Sequence, residues 1–358
     1  MQSKLKRILI YVSDHHYGHA TRMVALARGL FKTGKYEITI KNSNAFRFLK
    51  QSLPEARVEN FQTDVGPVFD LVSNSVDVNS TMERYSDWIK NADSWLSLEE
   101  KRFKKNPADL IITDISPMGL RLAKKVKCPA ITVTNFSWTD ILRRTRYHEK
   151  KEKIIQWLNE SFSISELAIK LPFSTKLEGF SKTEECSLLC RDLTTSKKQT
   201  LNGLHLHSPL VVISFGDQMP ANLKIMKNNN NVSVAILSHS KISFDDIPVI
   251  TGYSETQNIM AYADLVVTKA GYSTTAECVK FRTLMYIVKR KNYYEETLVS
   301  RNVADIGIAK ILEPHKSSFC IDIPNENQIK GLRSKIDEDA ITAMEKLPHP
   351  VNIIKQLL

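Results

Sequence analysis

Short apolar segments alternate with stretches of helical periodicity along most of this chain, and this alternation limits the folds that it can adopt. In the N-terminal half, the predicted strands are Ile8–Val12, Glu37–Lys41, Leu110–Thr113 and Ala130–Val133, and the predicted helices are Ala20–Phe31, Asn44–Gln51 and Met118–Lys125. Continuous apolar strands of this length are typical of parallel sheets buried on both faces. The pattern therefore predicts an α/β fold with doubly wound parallel sheets.

The same alternation restarts in the C-terminal half. Its predicted strands are Val211–Phe215, Val232–Leu237, Val249–Ile250, Leu265–Thr268 and Leu284–Val288, and its helices are Glu255–Tyr262, Ser273–Phe281 and Glu296–Val303. Between the halves, Asp140–Leu158 is predicted to be one long polar helix, and the weakly periodic residues 174–208 are predicted to be a linker. A length of 358 residues suits two domains, which we place at residues 1–170 and 171–340, with residues 341–358 as a C-terminal helix that could cross back to the first domain.

Composition sets limits on partners and location. The net charge of +11 is compatible with nucleic acid, anionic lipid or a nucleotide phosphate as partner, or with a basic solvated surface. Because the sequence has no RNA-binding aromatic signature and no zinc-finger spacing, we expect no nucleic-acid partner. The five scattered cysteines suggest buried thiols in a reducing cytoplasm, and no apolar run reaches the roughly 18 residues of a membrane span. The apolar N-terminal run is too short for a signal peptide and is assigned to the first strand.

The turn after the first predicted strand concentrates groups that can move protons. The segment ILIYVSDHHYGHATR places Asp14, His15, His16 and His19 between that strand and the next helix, and Gly18 permits the turn. Histidine takes up a proton near neutral pH, so His19 or His16 is a candidate general base, with Asp14 as a third candidate.

Arg22 lies one helical turn beyond His19, where it could bind an anion or orient the partner of the histidine. Two other interpretations of the turn stay open. The side chains could serve only as caps and backbone hydrogen-bond partners, or a histidine pair could bind zinc. A zinc site needs further ligands, and none stands at a familiar spacing, so we expect no metal.

The second candidate site is the helix start in ADLVVTKAGYSTTAECVKF. The strand Leu265–Thr268 ends, Gly271 turns the chain, and Ser273–Thr275 open a helix. The first N–H groups of a helix lack internal partners and lie at the positive end of its dipole, so this start predicts a diphosphate site. Glu277 is then a candidate acceptor for ribose hydroxyls. An ordinary N-cap is the alternative.

Taken together, these segments resemble the GT-B glycosyltransferases. The GHATR turn, the ISFG strand end and the ADLVVTKAGYSTTAE segment are similar to those of the peptidoglycan N-acetylglucosaminyltransferase and of archaeal and bacterial glycosyltransferase-like proteins. The N-terminal half, through DHHYGHATR and VTNFSWTDI, also resembles the non-kinase domain of plant-type arabinokinases. The resemblance runs in order from about residue 7 to residue 312 and covers most of the chain.

The resemblance implies two Rossmann-like domains facing across a cleft, the first binding the acceptor and the second a nucleotide-diphosphate sugar, with UDP-sugar as the first candidate. Transfer would invert the sugar and use no metal or other cofactor. Backbone near Thr251–Tyr253 would meet the base. The implied donor-side residues are Gly216, Gly252, Tyr253, Lys269, Gly271, Ser273, Thr274, Thr275, Glu277 and Glu296. The implied acceptor-side residues are Gly18, Arg22, Asp114 and Asn135.

Three departures from the family pattern leave other functions open. Lys269 stands where relatives often carry histidine, serine or arginine, Thr283 where they carry proline, and Glu296 where they carry glutamine. One alternative is a nucleotide-sugar epimerase or hydrolase, and another is a nucleotide-sugar-binding protein without turnover.

One basic segment could contact a membrane surface. Residues 143–153, RRTRYHEKKEK, hold six basic and two acidic side chains and precede the apolar IIQWL. Such a segment could rest on an anionic bilayer, which would suit a lipid-linked acceptor and a peripheral location on the inner face of the membrane. The alternative is a solvated helix whose apolar face is packed inside the protein.

Overall fold

The computed structural model describes residues 5–70, 75–216, 223–226, 231–238, 244, 247–290, 293–313 and 319–358. Contacts between residues divide the chain into two compact units. The first unit comprises Met1–Asp70, Val76–Leu189 and Lys346–Leu358, and the second comprises Leu71–Ser75 and Cys190–Glu345.

The first half contains the four predicted strands together with further strands and helices. In chain order the elements are β1 (Lys6–Val12), α1 (Tyr17–Phe31), β2 (Tyr36–Lys41), α2 (Phe46–Ser52), β3 (Arg57–Glu59), β4 (Val68–Asp70), β5 (Ser75–Asp77), α3 (Val78–Lys90), α4 (Ala92–Lys105), β6 (Leu110–Asp114), α5 (Pro117–Val126), β7 (Ala130–Thr134), α6 (Trp138–Arg143), α7 (Lys151–Phe162), β8 (Leu167–Lys170) and β9 (Thr183–Glu185). The four predicted strands are β1, β2, β6 and β7.

The remaining elements again include both strands and helices. They are α8 (Lys197–Gly203), β10 (Leu210–Ser214), β11 (Leu223–Met226), β12 (Ser233–Ser238), β13 (Val249–Thr251), α9 (Thr256–Tyr262), β14 (Leu265–Thr268), α10 (Tyr272–Phe281), β15 (Leu284–Val288), α11 (Tyr294–Asp305), β16 (Ala309–Leu312), β17 (Phe319–Asp322), α12 (Glu326–Arg333), α13 (Glu338–Glu345) and α14 (Pro350–Leu357).

Each unit is built around one parallel sheet. The first sheet has the strand order β3-β2-β1-β6-β7-β8-β9, and the second has the order β13-β12-β10-β14-β15-β16. In both sheets the chain starts near the middle, winds to one edge, returns and winds to the other edge. This reversal creates a switch point between β1 and β6 in the first sheet and between β10 and β14 in the second. The predicted α/β fold with two parallel sheets is confirmed.

The central strands are buried on both faces. Strands β6, β7 and β15 have no exposed residue, and β1 is buried from Ile8 to Val12. This burial explains why their sequences are continuous apolar runs instead of alternating ones. None of the described helices is both long enough and apolar enough to span a bilayer.

The predicted long helix over Asp140–Leu158 is wrong, because the chain forms α6 and α7 with a turn between them. The turn is stabilised locally: Thr145 Oγ1 donates to the Leu142 carbonyl at 2.7 Å, and Lys151 Nζ donates to the carbonyls of Arg143 and Thr145 at 3.1 and 2.9 Å. These bonds satisfy carbonyls at the end of α6, so the helix stops there.

Two further regions differ from the sequence-based interpretation. Residues 174–208 are not a plain linker, because they contain β9, which completes the first sheet, and α8. The contact division accordingly falls between Leu189 and Cys190, later than residue 170, and places the C-terminal segment from Lys346 with the first unit. Helices α3 and α4 were not predicted, because polar residues dominate both and their buried positions are few.

A glycine after α11 supplies a test of the second unit. Gly307 has a φ of +73°, and a Cβ at this position would overlap the carbonyl oxygen of Lys335. We expect Gly307→Ala to lower the free energy of unfolding by at least about 2 kcal/mol in urea titrations, because both strain and overlap must be relieved. Gly203→Ala is the control: no heavy atom lies within 4 Å of its added Cβ, so stability should be unchanged or slightly higher. Equal stabilities of the two variants would contradict this packing.

Candidate functional site

The first candidate site lies at the carboxyl end of the strands that flank the switch point. Strands β1 and β6 pair in parallel with Val12 opposite Asp114, so the turn after β1 and the end of β6 occupy the same edge of the sheet. The turn leads into α1, whose first turns carry His19 and Arg22. Ligands of open α/β sheets bind at this position.

Four predicted residues form a buried polar cluster there. His19 Nδ1 lies 3.1 Å from both oxygens of Asp114, and Arg22 Nε donates to Asp114 Oδ2 at 2.9 Å. Arg22 also donates to Asp114 Oδ1 and to the side-chain oxygen of Asn135. All four side chains are buried. The structure thus brings together His19, Arg22, Asp114 and Asn135, which come from α1 and from the ends of β6 and β7.

The electrostatics keep this cluster in a definite charge state. Burial alone would raise the pKa of Asp114, but Arg22 and His19 hold that pKa below its ordinary value, so the carboxylate is ionised. Burial lowers the pKa of His19 below 6.5, against the attraction of Asp114 and with the help of Arg22. The imidazole is therefore neutral at physiological pH and able to take up a proton.

The tautomer of His19 depends on which neighbour its Nδ1 engages. Arg22 Nη2 lies 2.9 Å from Nδ1 and can only donate, whereas ionised Asp114 can only accept. A proton on Nδ1 pairs with Asp114 and leaves Nε2 as a base. A bare Nδ1 accepts from Arg22 and places the proton on Nε2. Both neutral tautomers have a partner, and the first is the one that general base catalysis requires.

The other residues of the turn have different surroundings. Asp14 accepts hydrogen bonds from the backbone N–H groups of Ser43 and Thr63 at 2.6 Å and of Asn44 at 2.9 Å, so it fastens the loops that follow β1, β2 and β3. These bonds give Asp14 a structural role and argue against it as the base. His16 is the half-buried N-cap of α1 with a φ of 66°, and Gly18 is exposed in the first turn.

Asp64, which the sequence motifs did not single out, is a fully buried carboxyl group below the turn. Its Oδ1 accepts from Ser13 Oγ at 3.1 Å and from the Asp14 N–H at 2.8 Å, and its Oδ2 accepts from Trp138 Nε1 at 3.2 Å. Burial, with the nearby charge of Asp14, raises the pKa of Asp64 to about 8. A lone aspartate after an unpredicted strand gives no pattern that could have identified it.

The second candidate site lies at the carboxyl edge of the second sheet. Strands β10 and β14 pair with Ser214 opposite Thr268, so Gly216 and Lys269 follow neighbouring strands at the second switch point. Gly216 has a φ of 67°, which explains the glycine, and beyond its chain neighbours no described residue lies within 4 Å of the position of its missing Cβ. Gly252, with a φ of 71°, and half-buried Tyr253 follow β13 at the same edge.

The predicted diphosphate site is the start of α10. Gly271 is the N-cap, and no side chain caps the helix. Apart from the chain neighbours of Gly271, no heavy atom of the described residues lies within 4 Å of where a Cβ of residue 271 would stand. Thr274 and Lys269 are half-buried, Ser273 is buried, and Thr275 is fully buried with no hydrogen-bond partner for its Oγ1 among the described residues. Gly271, Lys269 and Thr274 are thus the accessible members of the predicted set.

Two predicted donor-side carboxylates have internal partners. Glu277 is buried, and its Oε1 accepts from Arg191 Nε at 2.8 Å. Burial raises the pKa of Glu277, and the charge of Arg191 opposes this shift. Glu296 is also buried, and both of its oxygens accept from Arg290. Arg191, which lies in the segment predicted to be a linker, is therefore part of this region.

The basic segment 143–153 is partly neutralised within the first unit. Arg143 pairs with Glu178 at 2.7 Å and Lys150 with Glu83 at 2.5 Å, while the Lys151 ammonium group binds backbone carbonyls at the end of α6. The apolar residues of α7 that follow, Ile154, Ile155 and Leu158, are buried. The helix therefore packs its apolar face inside the protein.

Across the described residues, no three His, Cys, Asp or Glu side chains converge as metal ligands would.

Asp64 gives the first unit a specific dependence on pH. The folded pKa of about 8 exceeds the unfolded value of 3.8, so the folded state holds an extra proton between these values and loses stability as pH rises through about 8. We expect the free energy of unfolding of the unaltered chain, relative to Asp64→Asn, to fall between pH 5 and pH 8 by up to about 1.4 kcal/mol per pH unit. Urea unfolding followed by tryptophan fluorescence measures this difference. Parallel pH profiles would show that Asp64 titrates normally.

Comparisons with known proteins agree with this architecture. Residues 6–176 match Glycosyl transferase family 1. Over 308 residues, or 82% of this chain, the sequence is 24% identical to an L-arabinokinase from Arabidopsis thaliana, and the match spans only 29% of that protein.

Solved glycosyltransferases share the fold along nearly the whole chain. SsfS6 of Streptomyces sp. SF2575, solved with thymidine diphosphate, has a TM-score of 0.58 at 16% identity over 98% of this chain and 99% of its own. SnogD from Streptomyces nogalater has a TM-score of 0.63 at 10% identity over 99% of both chains. The spinosyn rhamnosyltransferase SpnG, solved with spinosyn aglycone, has a TM-score of 0.60 at 12% identity over 98% and 99%. Together these findings confirm the resemblance stated from the motifs and support a glycosyltransferase: residues 6–176 match the Glycosyl transferase family 1 model, and the chain has the GT-B fold.

Proposed function

We propose that this chain transfers a sugar from a nucleoside diphosphate sugar to an acceptor hydroxyl, with inversion and without a metal ion. The observation that carries the proposal is the pairing of neutral His19 with ionised Asp114 at the switch point of the first sheet. A buried imidazole backed by a carboxylate is the arrangement that a general base needs, because the carboxylate stabilises the imidazolium that forms.

The reaction follows from these groups. His19 Nε2 takes the proton of the acceptor hydroxyl while that oxygen attacks the anomeric carbon. The bond from this carbon to the diphosphate breaks, and the nucleoside diphosphate leaves with the added negative charge. The start of α10 and the ammonium group of Lys269 can stabilise this charge without a metal ion.

In this proposal, the second unit binds the nucleoside diphosphate sugar. Gly271 and Thr274 at the start of α10 would meet the diphosphate, Glu277 the ribose, and the backbone from Thr251 to Tyr253 the base. The sequence favours UDP as the carrier, and SsfS6, one of the structures with this fold, was solved with thymidine diphosphate. UDP- and TDP-sugars are therefore the donors to test first.

The acceptor is proposed to bind the first unit beside His19. Half-buried Phe69 lies 5.9 Å from the rings of both His15 and His16 and offers an apolar surface near the turn. A lipid-linked acceptor or a contact with anionic membrane has weaker support, because the apolar face of α7 is packed internally.

The five cysteines are unpaired, which supports a location in the reducing cytoplasm. Cys186 and Cys278 are buried, but Cys320 is exposed, so the expectation that all five are buried is wrong.

The proposal is tested by thermal shift with UDP-, TDP- and GDP-sugars, followed by measurement of free nucleotide release with and without candidate acceptors. A transferase should be stabilised by at least one donor and release its nucleotide faster when an acceptor is present. Stabilisation without any release would support the alternative of a binding protein without turnover. Release that no acceptor accelerates would support a hydrolase.

Substitution of His19 should lower the rate of turnover, whereas substitution of Glu277 should weaken donor binding. We expect His19→Gln to lower the rate of nucleotide release about a hundredfold or more and to leave the dissociation constant of the donor unchanged. Because the pKa of His19 lies below 6.5, the rate of the unaltered chain should fall only below that pH. Glu277→Gln should instead weaken donor binding about tenfold.

His16→Gln is the matched control for the histidine, because His16 lies in the same turn and is not bonded to Asp114 in the described contacts. It should retain most of the rate. Full activity of His19→Gln together with loss of activity in His16→Gln would reassign the base to His16.

A further inference from the structure

Arg191 contacts two separate parts of the proposed nucleoside site. Its Nε donates to Glu277 Oε1 on α10 at 2.8 Å. Its Nη1 donates to the Ser254 carbonyl at 2.6 Å, and its Nη2 donates to Thr256 Oγ1 at 2.9 Å. The guanidinium group therefore ties α10 to the loop between β13 and α9.

The segment that carries Arg191 is itself held against α9. The Thr194 N–H donates to Asn258 Oδ1 at 2.9 Å, Asn258 Nδ2 donates to Thr194 Oγ1 at 2.8 Å, and Gln257 Nε2 donates to the Asp192 carbonyl at 3.1 Å. Arg191 and Glu277 are only 2% and 3% exposed, so their ion pair is shielded from solvent. A pair of this kind is costly to break and fixes the geometry of the elements that it joins.

These contacts engage only one of the two carboxylate oxygens of Glu277. Arg191 occupies Oε1, and Oε2 accepts no hydrogen bond from the described residues. An ionised carboxylate can accept several hydrogen bonds, so Oε2 can still accept from a ligand hydroxyl. The fork geometry of arginine matters here, because lysine could keep the charge but could not reach the carboxylate, the carbonyl and the hydroxyl at once.

We infer that Arg191 is the positioning residue of the nucleoside site, holding Glu277 ready for the ribose and fixing the Gly252–Thr256 loop for the base. This inference rests on the proposed donor specificity. Arg191 acts through its neighbours, and the diphosphate at the start of α10 is independent of it. Loss of the arginine should therefore weaken recognition of the nucleoside and spare recognition of the diphosphate.

The charge on Glu277 gives a second readout. The ionisable groups that face Glu277 are Arg191, Glu255, Cys190 and Cys278, and only Arg191 among them is a cation. Burial raises the pKa of Glu277, and removal of Arg191 would raise it further. In Arg191→Gln, nucleoside binding should consequently be weakest at low pH and should recover as pH rises. The unaltered chain should vary less over the same range.

The experiment is calorimetric titration of the full chain with TDP, UDP and inorganic pyrophosphate at several pH values on both sides of neutrality. For Arg191→Lys we expect about a tenfold or greater rise in the dissociation constant of the nucleoside diphosphate that binds best, with the constant for pyrophosphate unchanged. Arg282→Lys is the matched control, because Arg282 also forks to carboxylates, at Glu338 and Glu345, and should leave both constants unchanged.

Each result has a distinct meaning. Equal losses for nucleoside diphosphate and pyrophosphate in Arg191→Lys, or no loss for either, would overturn the positioning role while the unaltered chain still binds nucleotide. A pH dependence in Arg191→Gln no steeper than that of the unaltered chain would also overturn it. Failure of the unaltered chain to bind TDP, UDP and any nucleotide sugar would overturn the proposed function and this inference with it.

Discussion

His19, Arg22 and Asp114 form a buried charged cluster whose geometry is fixed by the pairing of two parallel strands. Because Val12 on β1 stands opposite Asp114 on β6, the first turns of α1 are carried to the end of β6. Burying these groups is costly unless each one is paired, and here the carboxylate accepts from the Arg22 guanidinium and lies 3.1 Å from His19 Nδ1. The cluster thus combines a structural requirement with the chemistry expected of a general base.

The second sheet winds in the same order as the first but carries different groups at its edge. Its switch point lies between β10 and β14, and the groups that follow these strands are backbone, hydroxyl and ammonium groups instead of a histidine and a carboxylate. One edge is therefore suited to proton transfer and the other to an anionic nucleotide. Arg191 adds a buried link between α10 and the loop that joins β13 to α9.

The sequence predicts the central strands of both sheets because buried parallel strands are continuous apolar runs, and it misses shorter strands such as β3, β9 and β11. It also locates His19 and Arg22, which lie in the helix after the first predicted strand, and the start of α10, which follows the predicted strand Leu265–Thr268. It fails for Asp64 and Arg191, whose partners Asp14 and Glu277 lie 50 and 86 residues away and leave no local pattern. The sequence also cannot show that Asp14, a candidate base, and Glu296, a candidate donor-binding residue, are already hydrogen-bonded within the protein, because their partners are visible only in the coordinates.

The most direct test is hydrogen–deuterium exchange of the full chain with and without a saturating nucleoside diphosphate. The account predicts slower exchange in peptides that cover Val249–Thr256 and the first turns of α10, with little change at Ser13–Arg22. Protection confined to the Ser13–Arg22 turn, or to neither region while binding is measured independently, would contradict the assignment of the donor to the second unit.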